Sequence, residues 1–198
     1  MKLLAATTNQ GKIREISEIL SVLGITVVTP QEINLSLDVK EDGDTFAENA
    51  AIKASAWSRA AGLPVVADDS GLCVDALEGR PGVMSARFSG PDATDEKNIA
   101  LLLKLLEGKH DRTARFVCAA ALAWETGEVI VAEGVYEGVI IHEPRGGGGF
   151  GYDPVFLDSE LNRTLAEMSP EEKNARSHRR KALDGLKDLL VKSGRLDS

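Results

Sequence analysis

The chain has 198 residues, 43% of them hydrophobic and 27% charged, which is typical of a soluble globular domain. Its formal net charge of −8 argues against a nucleic-acid-binding protein, because such proteins carry a surplus of Lys and Arg. No apolar run approaches the roughly 20 residues of a membrane span and the N-terminal one is too short for a signal peptide, so we expect one cytoplasmic domain over residues 1–198.

The first third of the chain is predicted to alternate strands and helices. Its elements are, in order, a strand at Lys2–Ala6, a polar turn at Thr7–Lys12, a helix closed near Gly24, a strand at Ile25–Val28, an acidic loop at Glu41–Asp44 and a helix at Phe46–Ala61. The last helix has the clearest start, because Thr45 and Glu48 form a capping box. This order is typical of an α/β fold.

The rest of the chain adds strands that are joined by tight turns. Its elements are a strand at Pro64–Ala67, a helix at Asn98–Leu106, strands at Thr113–Trp124 and Val129–Val135, a short strand at Val155–Leu157 and one long helix from Ser169 to near Gly194. The turn at 125–128 predicts an antiparallel hairpin, so the central sheet is expected to be mixed. The predicted fold class is therefore α/β with a mixed central sheet.

Two adjacent carboxylates, Asp68 and Asp69, follow the predicted strand Pro64–Ala67. We expect them at the carboxyl end of that strand, which is where open α/β sheets bind ligands. Adjacent carboxylates repel each other unless a cation lies between them, and Mg²⁺ takes one or two carboxylates together with substrate phosphates. The pattern thus indicates a magnesium site made by Asp69 and an acid of the loop Glu41–Asp44. The alternative is an Asx-turn, in which one Asp only caps the turn before Gly71.

The polar turn Thr7–Lys12 lies between a strand and a helix. Backbone amides at a helix N-terminus bind phosphate well, and Lys12 would add a positive charge. The spacing of a Walker loop is absent, so a plain capped helix start is the alternative.

The glycine-rich stretch Gly146–Gly151 formally satisfies the G-x-G-x-x-G pattern of dinucleotide-binding proteins. Asp153 and Pro154 follow at once, where that motif requires a helix, so we predict a loop whose glycines allow close approach of a flat ligand. Phe150 and Tyr152 are then either flanking groups for a base or ordinary core aromatics.

The C-terminal helix places Arg179 close to its apolar stripe and His178 at the edge of that stripe. A buried Arg needs oxygen partners. Those partners are either structural carboxylates or a carbonyl of a ligand, and the helix alone leaves both open.

Six segments in this order resemble the inosine triphosphate pyrophosphatase family, and the resemblance runs from about residue 3 to about residue 190. They are Thr7–Lys12, Phe46–Ala50, Ala67–Leu72, Pro81–Arg87, Gly148–Pro154 and Ser177–Arg179. Each segment alone is a weak signal, but six in register over one domain are specific.

The resemblance implies a magnesium-dependent enzyme that cuts ITP, dITP and XTP to the monophosphate and pyrophosphate. It implies an elongated two-lobed domain around a central cleft, assembled as a homodimer. Asp69 would be the catalytic base and a metal ligand, with Glu41 as the second metal ligand. The implied substrate contacts are Thr7, Thr8, Asn9, Gln10, Gly11, Lys12 and Lys173 for the triphosphate, Ser70, and Phe150, Gly151, Tyr152, Asp153, His178 and Arg179 for the base.

The chemistry of the base agrees with this assignment. Hypoxanthine and xanthine carry a 6-keto oxygen where adenine carries an amino group, and the Arg179 guanidinium can only donate. Two alternatives are a Maf-like pyrophosphatase that acts on modified pyrimidine or methylated nucleotides, and a nucleotide sensor that binds without releasing pyrophosphate. The segments Phe150–Asp153 and Ser177–Arg179 argue against the first, and the intact pair Asp68 and Asp69 argues against the second.

Overall fold

A computed structural model describes residues 1–194 of the chain. The strands are β1 (Lys2–Ala5), β2 (Thr26–Val28), β3 (Val65–Val74), β4 (Thr113–Ala123), β5 (Val129–Ile140), β6 (Phe156–Asp158) and β7 (Arg163–Thr164). The helices are α1 (Gln10–Ser21), α2 (Phe46–Ala61), α3 (Asp95–Leu105), α4 (Pro170–Arg176) and α5 (His178–Lys192). Within the described residues, none of these helices has the length and apolar composition needed to cross a membrane.

The strands form a seven-stranded sheet in the order β2-β1-β3-β4-β5-β6-β7. Strand β1 runs parallel to β2 and to β3, whereas β6 runs antiparallel to β5 and to β7. The sheet is therefore mixed, which confirms the predicted α/β fold class.

The chain divides into two compact units. Within the described residues, the first consists of 1–69, 118–134 and 179–194, and the second of 70–117 and 135–178. Each unit has an apolar core of its own. The first core contains Leu3, Ile16, Leu20, Val66, Leu122, Leu183 and Leu186, and the second contains Leu72, Val74, Leu102, Ile140, Val155, Phe156 and Leu165.

Helix α2 has the predicted bounds because local signals determine both of its ends. The Thr45 side chain accepts a hydrogen bond from the Glu48 amide, and the Glu48 carboxylate accepts one from the Thr45 amide. Gly62 ends the helix with φ of 62°, a conformation that glycine adopts without strain.

Strand β3 corrects the prediction for Asp68–Gly71. These residues lie inside β3, which continues to Val74, and not at its carboxyl end. The strand continues because Leu72 and Val74 are fully buried in the core of the second unit. Neighbouring β1, however, stops at Ala5, so Asp68 and Asp69 lie past the carboxyl end of that strand.

The predicted single C-terminal helix is also wrong, because the structure has two helices, α4 and α5. The capping box of Ser169 and Glu172 and the proline at the first turn of α4 are present as expected. The break comes at Ser177, whose extended backbone (φ −63°, ψ 151°) interrupts the helical hydrogen bonds. Serine is favoured at the residue before a helix, and α5 begins at the next residue and ends at Lys192.

Two smaller differences concern element bounds. Helix α3 begins at Asp95, before the predicted Asn98, because Thr94 caps it by accepting from the Lys97 amide. Strand β5 continues past the predicted Val135 to Ile140, where it pairs with β6.

Candidate functional site

Four ionisable side chains of the first unit form what we call the buried charge cluster, which consists of Lys12, Glu15, Asp68 and Arg179. Lys12 Nζ lies 3.0 Å from Asp68 Oδ1 and 2.9 Å from Asp68 Oδ2. This contact forms because β1 stops at Ala5 while β3 continues, so the carboxylate of Asp68 lies beside the first turn of α1.

Arg179 occupies the centre of this cluster. Its Nε donates to Asp68 Oδ2 at 3.1 Å and its Nη1 donates to Glu15 Oε2 at 3.2 Å. Arg179, Glu15 and Asp68 are 8%, 6% and 4% exposed, respectively. Of the two partner types left open by the sequence, the structure therefore contains the carboxylates, and a contact of Arg179 with a base carbonyl stays a prediction.

The cluster pairs two cations with two carboxylates, so its formal charge is zero. Burial alone would raise the pKa of Asp68, but Lys12 and Arg179 outweigh burial and hold that pKa well below its usual range. Burial would lower the pKa of Arg179, but Asp68 and Glu15 raise it above its usual value. These opposite shifts favour the charged forms of Asp68 and Arg179 in spite of their burial.

Asp69 is held by a neighbour on α2. Asn49 Nδ2 donates to Asp69 Oδ2 at 3.0 Å, while Asn49 Oδ1 accepts from the Gly43 amide at 2.8 Å. Asn49 thus links Asp69 to the acidic loop 41–44. The loop approaches α2 so closely that a Cβ at Gly43 would lie 2.7 Å from Glu48 Cβ. Replacing Gly43 by any other residue would therefore displace the loop from the helix.

The donor set fits a hard divalent cation. Asp69 is half-buried, and Glu41 is 28% exposed and forms an ion pair with Lys53 at 2.9 Å. Within the described residues no group of three or more His, Cys, Asp and Glu side chains could hold a metal ion. Mg²⁺ needs only one or two carboxylates when substrate phosphates and water complete its shell, so Asp69 and Glu41 as its ligands stay a prediction.

The turn after β1 is a capped helix start. The Asn9 side chain accepts from the amides of Gly11 and Lys12, at 2.9 and 3.2 Å, and the Asn9 amide donates to Thr7 Oγ1 at 3.2 Å. Thr8 and Gln10 are exposed beside it. The structure therefore contains the capped helix start that the sequence left as the alternative. A phosphate bound at these amides would compete with the side chain of Asn9.

The glycine-rich loop belongs to the second unit and is fixed at Phe150 and Gly151. Asp153 Oδ2 accepts from the Phe150 amide at 2.9 Å, and Asp95 accepts from the Gly151 amide at 2.6 Å. Lys173 forms an ion pair with Asp153 and also lies over the ring of Phe150, with Nζ 4.3 Å from the ring centroid. The structure therefore brings together the predicted residues Phe150, Gly151, Asp153 and Lys173.

The two aromatic residues of the loop have different environments. Phe150 is 62% exposed, so its ring is accessible to a flat ligand. Tyr152 is 4% exposed and belongs to the core, where its hydroxyl donates to the Ser85 carbonyl at 2.8 Å and burial raises its pKa. His178 is buried as well and stacks on Phe116, with ring centroids 5.0 Å apart.

Sequence reasoning missed three residues that hydrogen-bond to the predicted site residues, namely Glu15, Asn49 and Asp95. Glu15 gave a usable signal, because it lies beside the apolar stripe of α1, three residues after Lys12, where a carboxylate needs a partner. Ser70 lies half-buried in β3, and a contact with substrate stays a prediction for it.

A sequence profile of the Ham1 family matches residues 3–189. The chain belongs to the Ham1 family. A Geobacillus kaustophilus relative of this Ham1 chain, named dITP/XTP pyrophosphatase, is 51% identical over 93% of this chain and 92% of its own. A Geobacter sulfurreducens relative of the same name is 51% identical over 96% of each chain. The solved structure of a HAM1 protein from Coxiella burnetii superposes with a TM-score of 0.91 at 43% identity, covering 97% of this chain and 99% of that one. These matches confirm the resemblance that the six segments indicated.

Proposed function

We propose that this Ham1 chain hydrolyses the noncanonical purine nucleoside triphosphates ITP, dITP and XTP to the nucleoside monophosphate and pyrophosphate. The observation that carries the proposal is the 51% identity, over 92% of its length, with a relative named dITP/XTP pyrophosphatase. Such an activity removes these nucleotides from the pool before they enter DNA or RNA.

Arg179 is the residue that we assign to recognition of the purine 6-position. Its Nε and Nη1 are bonded to Asp68 and Glu15, and Nη2 takes part in neither bond. A guanidinium can only donate hydrogen bonds, so Nη2 would pair with the 6-keto oxygen of hypoxanthine or xanthine. With adenine bound, Nη2 would instead face the 6-amino group, which is also a donor. A site built on a buried donor rejects an analogue that lacks the acceptor by about 10⁴ or more, which is enough to protect ATP.

Further base contacts are assigned to the segment Phe150–Asp153 and to His178. The exposed Phe150 ring is suited to stack on a purine, with Lys173 beside it. Because Tyr152 is a core residue, its contribution is to hold the loop and not to stack on the base.

Asp69 is the proposed general base. It would orient a water molecule and accept its proton as the oxygen attacks the α-phosphorus, while the bond from that phosphorus to the bridging oxygen breaks and pyrophosphate leaves. Lys12 and Lys173, with the turn Thr7–Gly11, would bind the phosphates as positive charges and hydrogen-bond donors. A divalent cation, when bound by Asp69 and Glu41, would neutralise charge on the phosphate oxygens.

Three finer parts of the proposal rest on the resemblance. They are Mg²⁺ as the metal, a homodimer as the assembly, and the cytoplasm as the location. The half-buried carboxylates of Asp69 and Glu41 support Mg²⁺ as the metal, because this ion prefers oxygen ligands.

Hydrolysis of ITP in ¹⁸O-labelled water tests the site of attack. Attack at the α-phosphorus puts the label in inosine monophosphate and leaves the pyrophosphate unlabelled. Label in pyrophosphate would contradict the assigned reaction. Binding of ITP without any product would instead favour a nucleotide sensor.

A further inference from the structure

We propose that Glu15 is a positioning residue for base discrimination, because it fixes the orientation of the Arg179 guanidinium. The inference rests on the proposed function, in which Arg179 recognises the 6-keto oxygen. It assigns a specificity role to a helix residue that lies outside all six segments of the resemblance.

Two carboxylates from different elements determine the plane of Arg179. Asp68 on β3 accepts from Nε at 3.1 Å, and Glu15 on α1 accepts from Nη1 at 3.2 Å. The guanidinium is planar and rigid, so fixing two of its three nitrogens also fixes the third, Nη2. With Asp68 alone, the group could rotate about its single contact and Nη2 would have no defined position.

The placement of Glu15 favours a role beyond stability. Glu15 is 6% exposed and lies on the same helix as the apolar core residues Ile16 and Ile19. A buried ion pair is usually no more stabilising than a well-packed apolar pair of the same volume, so its charge is better explained by what it positions.

Charge balance supports the same conclusion. Lys12, Asp68, Arg179 and Glu15 form a chain of alternating sign in which each contact joins opposite charges. Without Glu15 the cluster has two cations for one carboxylate. Lys12 and Arg179 would then compete for the carboxylate of Asp68, and the guanidinium of Arg179 would no longer have one fixed position.

The test compares Glu15→Gln with Glu18→Gln in the full chain. Glu18 lies on the same helix and pairs with the neighbouring Arg180 at 3.7 Å, but its side chain is 76% exposed. For each protein, kcat/KM is measured with ITP and with ATP. The state of Arg179 is followed independently by the exchange rate of its Nε–H resonance in NMR spectra without substrate, assigned with Arg179→Lys.

We expect Glu15→Gln to lower the ratio of kcat/KM for ITP over ATP by about tenfold or more, since small misplacements of a binding group carry penalties of that size. Its Arg179 Nε–H should exchange faster than in wild type, and Glu18→Gln should change neither quantity. A general loss of stability would reduce both kcat/KM values equally and leave the ratio unchanged. If Glu15→Gln does not fold, Glu15→Asp keeps the charge on a shorter side chain and carries the same expectation.

An unchanged ratio together with unchanged Nε–H exchange would overturn the role of Glu15. If wild type hydrolyses neither nucleotide, the proposed function fails, and the exchange rate still decides whether Glu15 positions Arg179. The two failures are therefore distinguishable.

Discussion

Asn49 donates a hydrogen bond from Nδ2 to Asp69 Oδ2 at 3.0 Å, and the same side chain accepts from the Gly43 amide of the acidic loop. It therefore orients both of the elements that carry the proposed metal ligands. Residues that orient metal ligands typically change metal affinity or activity by about 10–100-fold when they are removed.

Asn49→Ala should accordingly raise the Mg²⁺ concentration needed for half-maximal activity by about tenfold or more. Magnesium titration of ITP hydrolysis measures this. Arg59→Ala, at the exposed far end of the same helix, is the matched control and should leave the titration unchanged. An unaltered magnesium dependence in Asn49→Ala would show that Asn49 does not orient the ligands.

Gly149 and Gly147 offer a matched pair within one glycine run. Gly149 has φ of +75°, and a Cβ there would overlap the carboxylate of Asp153, whereas a Cβ at Gly147 would have open space within 4 Å. Gly149→Ala must displace Asp153 from the Phe150 amide and from Lys173. We expect KM for ITP to rise by about tenfold in Gly149→Ala, because the loss of one charge-assisted contact has an effect of that size. Gly147→Ala should leave KM unchanged. Equal KM values in the two variants would argue against a role for this loop in binding.

Asp68 should be among the side chains most important for stability. Asp68→Asn leaves Lys12 and Arg179 without their shared carboxylate, and removing one partner of a buried ion pair is expected to lower the free energy of unfolding by about 3–5 kcal/mol. Asp184 also contacts two cations, Arg180 and Lys187, but its side chain is 39% exposed. Asp184→Asn should therefore lower the free energy of unfolding by at most about 1 kcal/mol. Urea unfolding of both variants at pH 7 gives the comparison. Similar losses in the two would contradict the importance of burial.

Asp158 predicts how stability depends on pH. Burial would raise its pKa, but the Tyr136 hydroxyl at 2.6 Å, the amides of Leu161 and Glu160, and Arg176 together lower it. A folded-state pKa below the unfolded value of about 3.9 adds stability above that pH, and this stability is lost as the pH falls through the folded pKa. Wild type should thus exceed Asp158→Asn in melting temperature at pH 7, and the difference should narrow as the pH falls from about 5 to 3. A difference that grows on acidification would have the wrong sign.

The sequence predicted those elements whose signals are local. Thr45, Glu48 and Gly62 determine the ends of α2 by contacts within a few residues, so their pattern was sufficient. The strand that carries Asp68 was predicted too short, because two acids before Gly71 have the composition of a turn, whereas the burial of Leu72 and Val74 extends β3. The break at Ser177 was missed because capping residues also occur inside helices.

Sequence patterns drew attention to individual residues of the candidate site but not to the contacts between them. Adjacent acids and a cation on an apolar stripe identified Asp68, Asp69 and Arg179 as unusual. The partner of Arg179 at Glu15 is 164 residues away in sequence, and only the folded chain brings these two together. The same holds for Asn49 and Asp69, because a single amide within an Ala-rich helix has no distinctive pattern of its own.

The proposed reaction is tested most directly by pyrophosphate release from ITP, dITP, XTP, GTP, ATP and dTTP, measured with Mg²⁺ and again with a chelator, for wild type and for Asp69→Asn. We expect strong release from the first three nucleotides only, its loss with the chelator, and no turnover by a folded Asp69→Asn variant. Release from dTTP in preference to ITP, or near-normal turnover by Asp69→Asn, would contradict the proposed reaction.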